Sequence, residues 1–192
     1  MPSRNAFLGA RLTANLKKND LKIVLVESCT GGAASAALAR IPGVSAHLCG
    51  SFVVYREASK IGWLDVPPAM LANDGAVGRE VTELLALRAL ECTPEADLAA
   101  AITGHLGPFE KTGTGRSPAA KKDGLIFMSV AVRHSNNARH QPVVFSRQKK
   151  LSKPATKNPM TMRIKRQAQA TEIFLDMVCS VLTTPAVKRK EN

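Results

Sequence analysis

The stretch KIVLVESCTGGAASAALAR, residues 22–40, decides the fold of this chain. It opens with a short aliphatic run that is apolar on both faces, which is typical of a strand buried on both sides in a parallel sheet. The run stops at Ser28-Cys29-Thr30-Gly31-Gly32, and an alanine-rich segment follows at once. We predict a strand over residues 22–27, a tight glycine turn, and a helix over residues 33–40.

Strands and helices alternate on both sides of this unit. We predict further helices over residues 7–18, 56–63, 79–91 and 161–182, and further strands over residues 51–55, 96–103, 125–132 and 143–147. Alternation of this kind within 192 residues predicts one α/β domain, a three-layer α/β/α sandwich with a largely parallel sheet. The expected domain covers residues 1–184, and a basic flexible tail covers residues 185–192.

Three segments between these elements predict breaks in regular structure. Pro67-Pro68 interrupts the chain after the third predicted helix, and Ser135-Asn136-Asn137 predicts a turn. Residues 107–124 are rich in Gly, Pro, Lys and Ser without periodicity, so we expect a surface loop long enough to have a function.

The composition excludes two broad classes of protein. Hydrophobic residues make up 45% and charged residues 22% of the chain, which is enough apolar material for a folded core and excludes wholesale disorder. No apolar run is long enough to cross a bilayer, and the N-terminus is too polar for a secretory signal, so we expect a soluble, cytoplasmic protein with no membrane partner.

The cysteines form no C-x-x-C pair, so we expect reduced thiols: Cys29, Cys49, Cys92 and Cys179.

The net charge of +12 lies entirely in the C-terminal part of the chain. Residues 111–192 contain 17 Lys and Arg against 4 Asp and Glu, whereas residues 1–110 contain 10 against 11. Three interpretations stay open: a solvated basic face, a loop at residues 111–122 that closes over an anionic substrate, and a nucleic-acid surface. With one Trp and one Tyr, the chain has no aromatic-interleaved basic stripe, so nucleic acid is the minority interpretation.

Three loops at predicted strand ends are candidates for a site, because ligands of open α/β sheets gather beyond the carboxyl ends of the strands. The turn at residues 28–32 presents a serine hydroxyl beside the free backbone N–H groups of the next helix, which could bind an oxyanion, although Ser28 could equally be an ordinary helix cap. Residues 103–108 form a glycine-bracketed loop that could also be a plain turn.

Tyr55 and Lys60 form the remaining candidate pair. A lysine can remove the proton of a serine nucleophile if burial or a neighbouring cation lowers its pKa, and a tyrosine can relay or stabilise that proton. Joint action requires a strand-to-helix bend between the two residues; the alternative is a strand-end tyrosine and a solvated lysine.

Other chemistry has weaker support in the sequence. Cys29 is a rival nucleophile, but a buried structural cysteine fits its surroundings better. The histidines lack metal-ligand spacing, and the chain has neither a Walker loop nor a G-x-G-x-x-G fingerprint, so we expect no metal and no cofactor. The four histidines are His47, His105, His134 and His140.

Several blocks in order resemble the C-terminal domain family of the competence/damage-inducible protein CinA, whose stand-alone members include nicotinamide-nucleotide amidases. The resemblance runs from about residue 7 to about residue 180 and is most specific at Glu-Ser-Cys-Thr-Gly-Gly. The blocks are residues 27–32, residues 50–55 with Lys60, residues 75–77, residues 96–98, and Thr103-Gly104 with Gly107-Pro108.

The resemblance implies hydrolysis of the carboxamide of nicotinamide mononucleotide to nicotinic acid mononucleotide and ammonia, in an α/β/α homo-oligomer. By position, Ser28 matches the family's nucleophile, Tyr55 its catalytic tyrosine and Lys60 its catalytic lysine. The remaining matches are to the substrate-binding turn and a second active-site loop: Thr30, Gly31 and Gly32, and Thr103 and Gly104.

The chain departs from the family pattern at several positions. His105, Leu106 and Phe109 replace small residues of the second loop, and Gly78 replaces a common serine. Which of Arg163, Lys165 and Arg166 fills the expected basic slot of the last helix is open. An altered paralogue that binds a nucleotide or nucleic acid without this catalysis therefore stays an alternative to the amidase.

Overall fold

A five-stranded sheet forms the middle layer of the computed structural model, which describes residues 3–107, 123–133, 141–184 and 187. The strand order is β2-β1-β3-β4-β5. β1 pairs in parallel with β2 and β3, whereas β4 runs antiparallel to β3 and β5. Four of these five described strands therefore share one direction, which confirms the largely parallel sheet. The strands are β1 Ile23–Glu27, β2 Leu48–Val53, β3 Leu98–Gly104, β4 Leu125–Val132 and β5 Val143–Lys150.

Helices cover both faces of the sheet, which confirms the three-layer sandwich. One apolar cluster joins the sheet to α1, α2 and α6, and a second cluster joins the opposite face to α3, α4 and α5. A short 3-10 helix, Val44–Ala46, precedes β2. Among the described residues, no helix is long and apolar enough to span a membrane. The helices are α1 Arg4–Lys18, α2 Ala33–Ala39, α3 Glu57–Leu64, α4 Pro68–Asp74, α5 Arg79–Cys92 and α6 Pro159–Val181.

Local sequence explains where several helices begin and end. The Ser3 hydroxyl accepts a hydrogen bond from the Ala6 backbone N–H and caps α1, and the Asn158 side chain caps α6 in the same way. Asp65, in the left-handed conformation with φ 49°, ends α3. The predicted break at Pro67-Pro68 separates α3 from α4. Pro68 itself occupies the first turn of α4, where a proline's missing N–H costs no hydrogen bond.

The register of β1 and β3 determines which side chains meet at the carboxyl edge of the sheet. Val24 and Val26 pair with Ala99 and Ala101, and all four lie in the cluster beneath α5. Side chains alternate between the faces of a strand, so the residues that continue these two rows leave the sheet on the same side. Ser28 follows this row on β1.

Candidate active site

Ser28 and Lys60 meet at the carboxyl end of β1. Ser28 is the first residue after the strand, and Lys60 reaches it from α3, where its Nζ lies 3.2 Å from the serine Oγ. The same Nζ donates to the backbone carbonyl of Val54 at 2.8 Å. Ser28 is 7% exposed and Lys60 only 1%. The structure thus joins two of the three predicted catalytic residues in a buried contact. Between Tyr55 and Lys60 the chain passes from the end of β2 into α3, which is the predicted bend.

The surroundings of Lys60 favour its neutral form. Burial lowers the pKa of Lys60 from its ordinary value, against smaller opposing effects of Glu57 and Cys29. A neutral amine beside a serine hydroxyl can accept the hydroxyl proton, which an ammonium group cannot do. The pair has the geometry and the electrostatics of a nucleophile with its base.

The turn after Ser28 is built on two glycines with positive φ, 61° at Gly31 and 94° at Gly32. The Ser28 N–H donates to the Ile102 carbonyl, and the Gly31 N–H donates to the Ser28 carbonyl. In the part of the chain that the structure describes, the N–H groups of Cys29, Thr30 and Gly32 have no acceptor. They are the backbone donors of this turn that remain available to a developing oxyanion.

The first turn of α2 does not supply the free donors that the sequence predicts. The buried carboxylate of Glu27 accepts hydrogen bonds from the backbone N–H groups of Ala34 at 3.0 Å and Ser35 at 2.8 Å. Glu27 thus caps α2 from the end of β1 and fixes the turn between them. No role of Glu27 was predicted from the sequence, and its position immediately before the turn was the signal that could have indicated one.

Tyr55 lies at the mouth of the site and not beside Lys60. Its side chain is 55% exposed, and its hydroxyl accepts a hydrogen bond from the Arg163 guanidinium. Arg163 also donates to the Gly107 carbonyl at 3.4 Å. No hydrogen bond described in the structure joins the Tyr55 hydroxyl to Ser28 or Lys60.

The second predicted loop is closely packed. Thr103 is fully buried, and its hydroxyl lies 2.7 Å from that of Thr82 on α5. A Cβ added to Gly104 would lie 2.6 Å from Ile126 and 3.1 Å from the Cys29 sulfur, so only glycine fits there. Burial raises the pKa of Cys29 to about 12, which keeps the thiol protonated and disfavours it as a rival nucleophile.

Helix α6 contacts three loops of the site from one side. Arg166, which is 2% exposed, forms two hydrogen bonds with the Asp123 carboxylate and donates to the Leu106 carbonyl at 3.0 Å. Gln167 donates from its amide nitrogen to the Thr30 carbonyl at 2.8 Å. Of the three basic candidates on this helix, Arg163 faces the mouth, Arg166 is buried in an ion pair, and Lys165 is exposed.

Some predictions lie outside the described residues. These are the loop over residues 108–122, including the suggested lid at residues 111–122, and most of the tail. His134, His140 and the turn at Ser135-Asn136-Asn137 lie outside as well. Of the described histidines, His47 uses its Nδ1 on the Leu21 carbonyl at 3.0 Å. Within the described ranges, no group of His, Cys, Asp and Glu side chains could hold a metal ion.

The structure therefore defines an α/β/α protein of mostly parallel sheet, with a buried serine–lysine pair at the carboxyl edge of that sheet. Known sequences identify the family: the sequence model of the CinA C-terminal domain matches residues 5–164, and the chain belongs to that family.

Individual relatives differ in length and in what their names state. "Nicotinamide-nucleotide amidohydrolase PncC" of Pseudomonas putida is 34% identical over 122 residues, which cover 64% of this chain and 72% of that protein. A "CinA-like protein" of Geobacter sp. (strain M21) is 36% identical over 121 residues, which cover 63% of this chain but only 28% of that longer protein. The chain therefore matches a minor part of such CinA-like relatives and most of the PncC protein.

A solved structure confirms the fold over nearly the whole chain. The competence/damage inducible protein CihA from Agrobacterium tumefaciens superposes with a TM-score of 0.77 at 26% sequence identity. The match covers 96% of this chain and 98% of that one.

Proposed function

We propose that this protein is a serine amidohydrolase that deamidates nicotinamide mononucleotide to nicotinic acid mononucleotide and ammonia. The observation that carries the proposal is the contact between Ser28 Oγ and the buried, pKa-lowered Lys60 amine. The substrate class is supported by the relative named as a nicotinamide-nucleotide amidohydrolase, which this chain matches over 72% of that protein's length.

The reaction proceeds in two halves through an acyl-enzyme. Ser28 Oγ attacks the carboxamide carbon while its proton passes to Lys60 Nζ, and the negative charge on the carbonyl oxygen is held by the N–H groups of Cys29 and Thr30. Lys60 then gives this proton to the amide nitrogen, the carbon–nitrogen bond breaks, and ammonia leaves the acyl-enzyme. A water molecule loses a proton to Lys60, attacks the ester carbon, and releases the acid as Ser28 regains its proton.

Tyr55 acts in this proposal from the mouth of the pocket. Its exposed ring and its hydrogen bond to Arg163 support a role in contacting the substrate. We expect the Tyr55→Phe variant to show a raised KM besides a lower kcat.

The test is ammonia release from nicotinamide mononucleotide by the wild type and by Ser28→Ala. Loss of the nucleophile should lower kcat by a factor on the order of 10⁴ or more. Ser129→Ala is the matched control, because Ser129 is equally buried but bonds to Ser146 on β5, away from the turn. Equal rates in wild type and Ser28→Ala would remove Ser28 from the reaction, and a wild type inactive on this nucleotide would refute the substrate.

A further inference from the structure

Gln167 joins the last helix to the turn that carries the proposed nucleophile. Its Nε2 donates to the Thr30 carbonyl oxygen at 2.8 Å across 137 residues of sequence. Its side chain is half-buried, and the same nitrogen would lie 3.4 Å from a Cβ placed on Gly31. The amide group therefore packs directly against the turn, although it is absent from the proposed chemical steps.

The hydrogen bond of Gln167 fixes a series of peptide planes. The Thr30 carbonyl and the Gly31 N–H belong to one planar peptide group. Its oxygen accepts the bond from Gln167 at 2.8 Å and a longer one from the Ala33 N–H at 3.2 Å. At its other end, the Gly31 N–H donates to the Ser28 carbonyl at 3.2 Å. That carbonyl shares its own peptide plane with the Cys29 N–H, so the direction of the Cys29 N–H depends on both bonds.

We propose that Gln167 is a positioning residue that orients the Cys29 N–H as an oxyanion donor. This inference rests on the proposed function, because it assigns the Cys29 N–H to the developing charge on the substrate. Gly31 and Gly32 adopt positive φ and have no Cβ, so their backbone has more freedom than any other residue type allows. The bond from α6 adds to the two bonds within the turn, from the Gly31 and Ala33 N–H groups, and restricts that freedom before the reaction begins, as electrostatic preorganisation requires.

The experiment compares Gln167→Met, Gln167→Glu and the control Gln169→Met. Methionine keeps the length of the side chain but cannot donate. The Cys29 N–H is then less well oriented but still present, so kcat should fall about 10-fold to 100-fold, less than the factor of about 10² to 10³ for outright loss of an oxyanion donor, while KM changes less than about twofold. Gln169 lies on the same helix and accepts hydrogen bonds from Ser152 instead, so its variant should keep wild-type kinetics.

The glutamate variant supplies a readout that a merely structural role would not change. A protonated carboxyl can donate to the Thr30 carbonyl, whereas a carboxylate cannot, so the kcat ratio of Gln167→Glu to Gln167→Met should rise as the pH falls from 8 to 5. The ionisation of Lys60 is common to both variants and cancels in this ratio. If Gln167→Met does not fold, the ratio of Gln167→Glu to wild type over the same pH range decides the question.

A second readout separates this inference from the proposed substrate. A fluorophosphonate probe reacts with an activated serine, whose oxygen bonds to phosphorus as fluoride leaves, and mass spectrometry gives the rate of labelling at Ser28. Deamidation by wild type, with unchanged kcat in Gln167→Met and a flat pH ratio, would overturn the inference alone. Labelling of wild type that slows in Gln167→Met, without any deamidation, would overturn the substrate alone. Absence of both reactions in wild type would overturn both.

Discussion

Replacement of Lys60 by methionine should separate the activity of this protein from its stability. Methionine fills a similar volume on α3 but offers no proton acceptor to Ser28. Loss of a positioned general base lowers rates typically by a factor of about 10² to 10⁴, which corresponds to about 3 to 5 kcal/mol of activation free energy. We expect kcat on nicotinamide mononucleotide to fall within that range.

The effect on stability should be small, because two changes oppose each other. The Val54 carbonyl loses its hydrogen bond from Nζ, and an unsatisfied buried acceptor costs about 1 to 3 kcal/mol. Against this, the variant no longer buries an amine that is 1% exposed, and taking a polar group out of water costs about 1 to 3 kcal/mol where its hydrogen bonds are incomplete. The free energy of unfolding should therefore change by less than about 2 kcal/mol, which for a chain of this size shifts Tm by less than about 8 °C.

The assay is ammonia release as a function of pH, with thermal unfolding measured on the same preparations. In the wild type, kcat/KM should rise with pH as Lys60 loses its proton, and burial, which lowers the pKa of Lys60, places that rise below the ordinary lysine range. The rise should be absent in Lys60→Met. Lys22→Met is the control, since Lys22 is a surface residue paired with Glu95. Activity of Lys60→Met within tenfold of wild type, with the same pH profile, would refute the role of Lys60 as base.

Three further predictions concern the scaffold of the site. Glu27→Gln leaves one backbone N–H group of the first turn of α2 facing an amide N–H. The free energy of unfolding in urea should therefore fall by about 1 to 3 kcal/mol. An unchanged midpoint of urea unfolding would contradict the capping role of Glu27. Pairing with Arg166 lowers the pKa of Asp123. The stability advantage of wild type over Asp123→Asn should therefore be complete above the ordinary carboxyl pKa of 3.8 and disappear as the pH falls through the lowered pKa. A stability difference that does not depend on pH would exclude the ion pair as its cause. Gly9→Ala places a Cβ on α1 2.8 Å from a carbonyl oxygen of α2. The free energy of unfolding should fall by about 1 to 3 kcal/mol, and Tm with it. An unchanged Tm would show that α1 and α2 move apart without cost.

The fold was largely predictable because its decisive signals are local. The alternation of apolar runs predicted β4 with the bounds that the structure has, Leu125–Val132, and the turn between β1 and α2. β2 was placed too late, because the small residues at its start, Cys49 and Gly50, do not resemble a strand. Its pairing with the buried β1 overrides this weak local preference.

The site was predictable only where one short segment carries it. Ser28 stood out from its turn and from the resemblance, but its contact with Lys60 depends on how α3 packs against the sheet. Gln167 and the partnership of Arg166 with Asp123 join parts of the chain far apart in sequence. A glutamine on a long helix carries no local signal of its partner, so only the folded structure indicates these roles.

The bond between Gln167 and the turn has a consequence for how the molecule matures. The sheet order places β1 between strands that are synthesised after it, and the helix that braces the nucleophile turn is the last described helix of the chain. Contacts between the two ends of a chain form late, since the entropy of closing so long a loop must first be overcome. If Ser28 is the nucleophile, the Ser28–Lys60 contact alone should not make a folding molecule fully active, and activity should appear only as α6 docks against the turn.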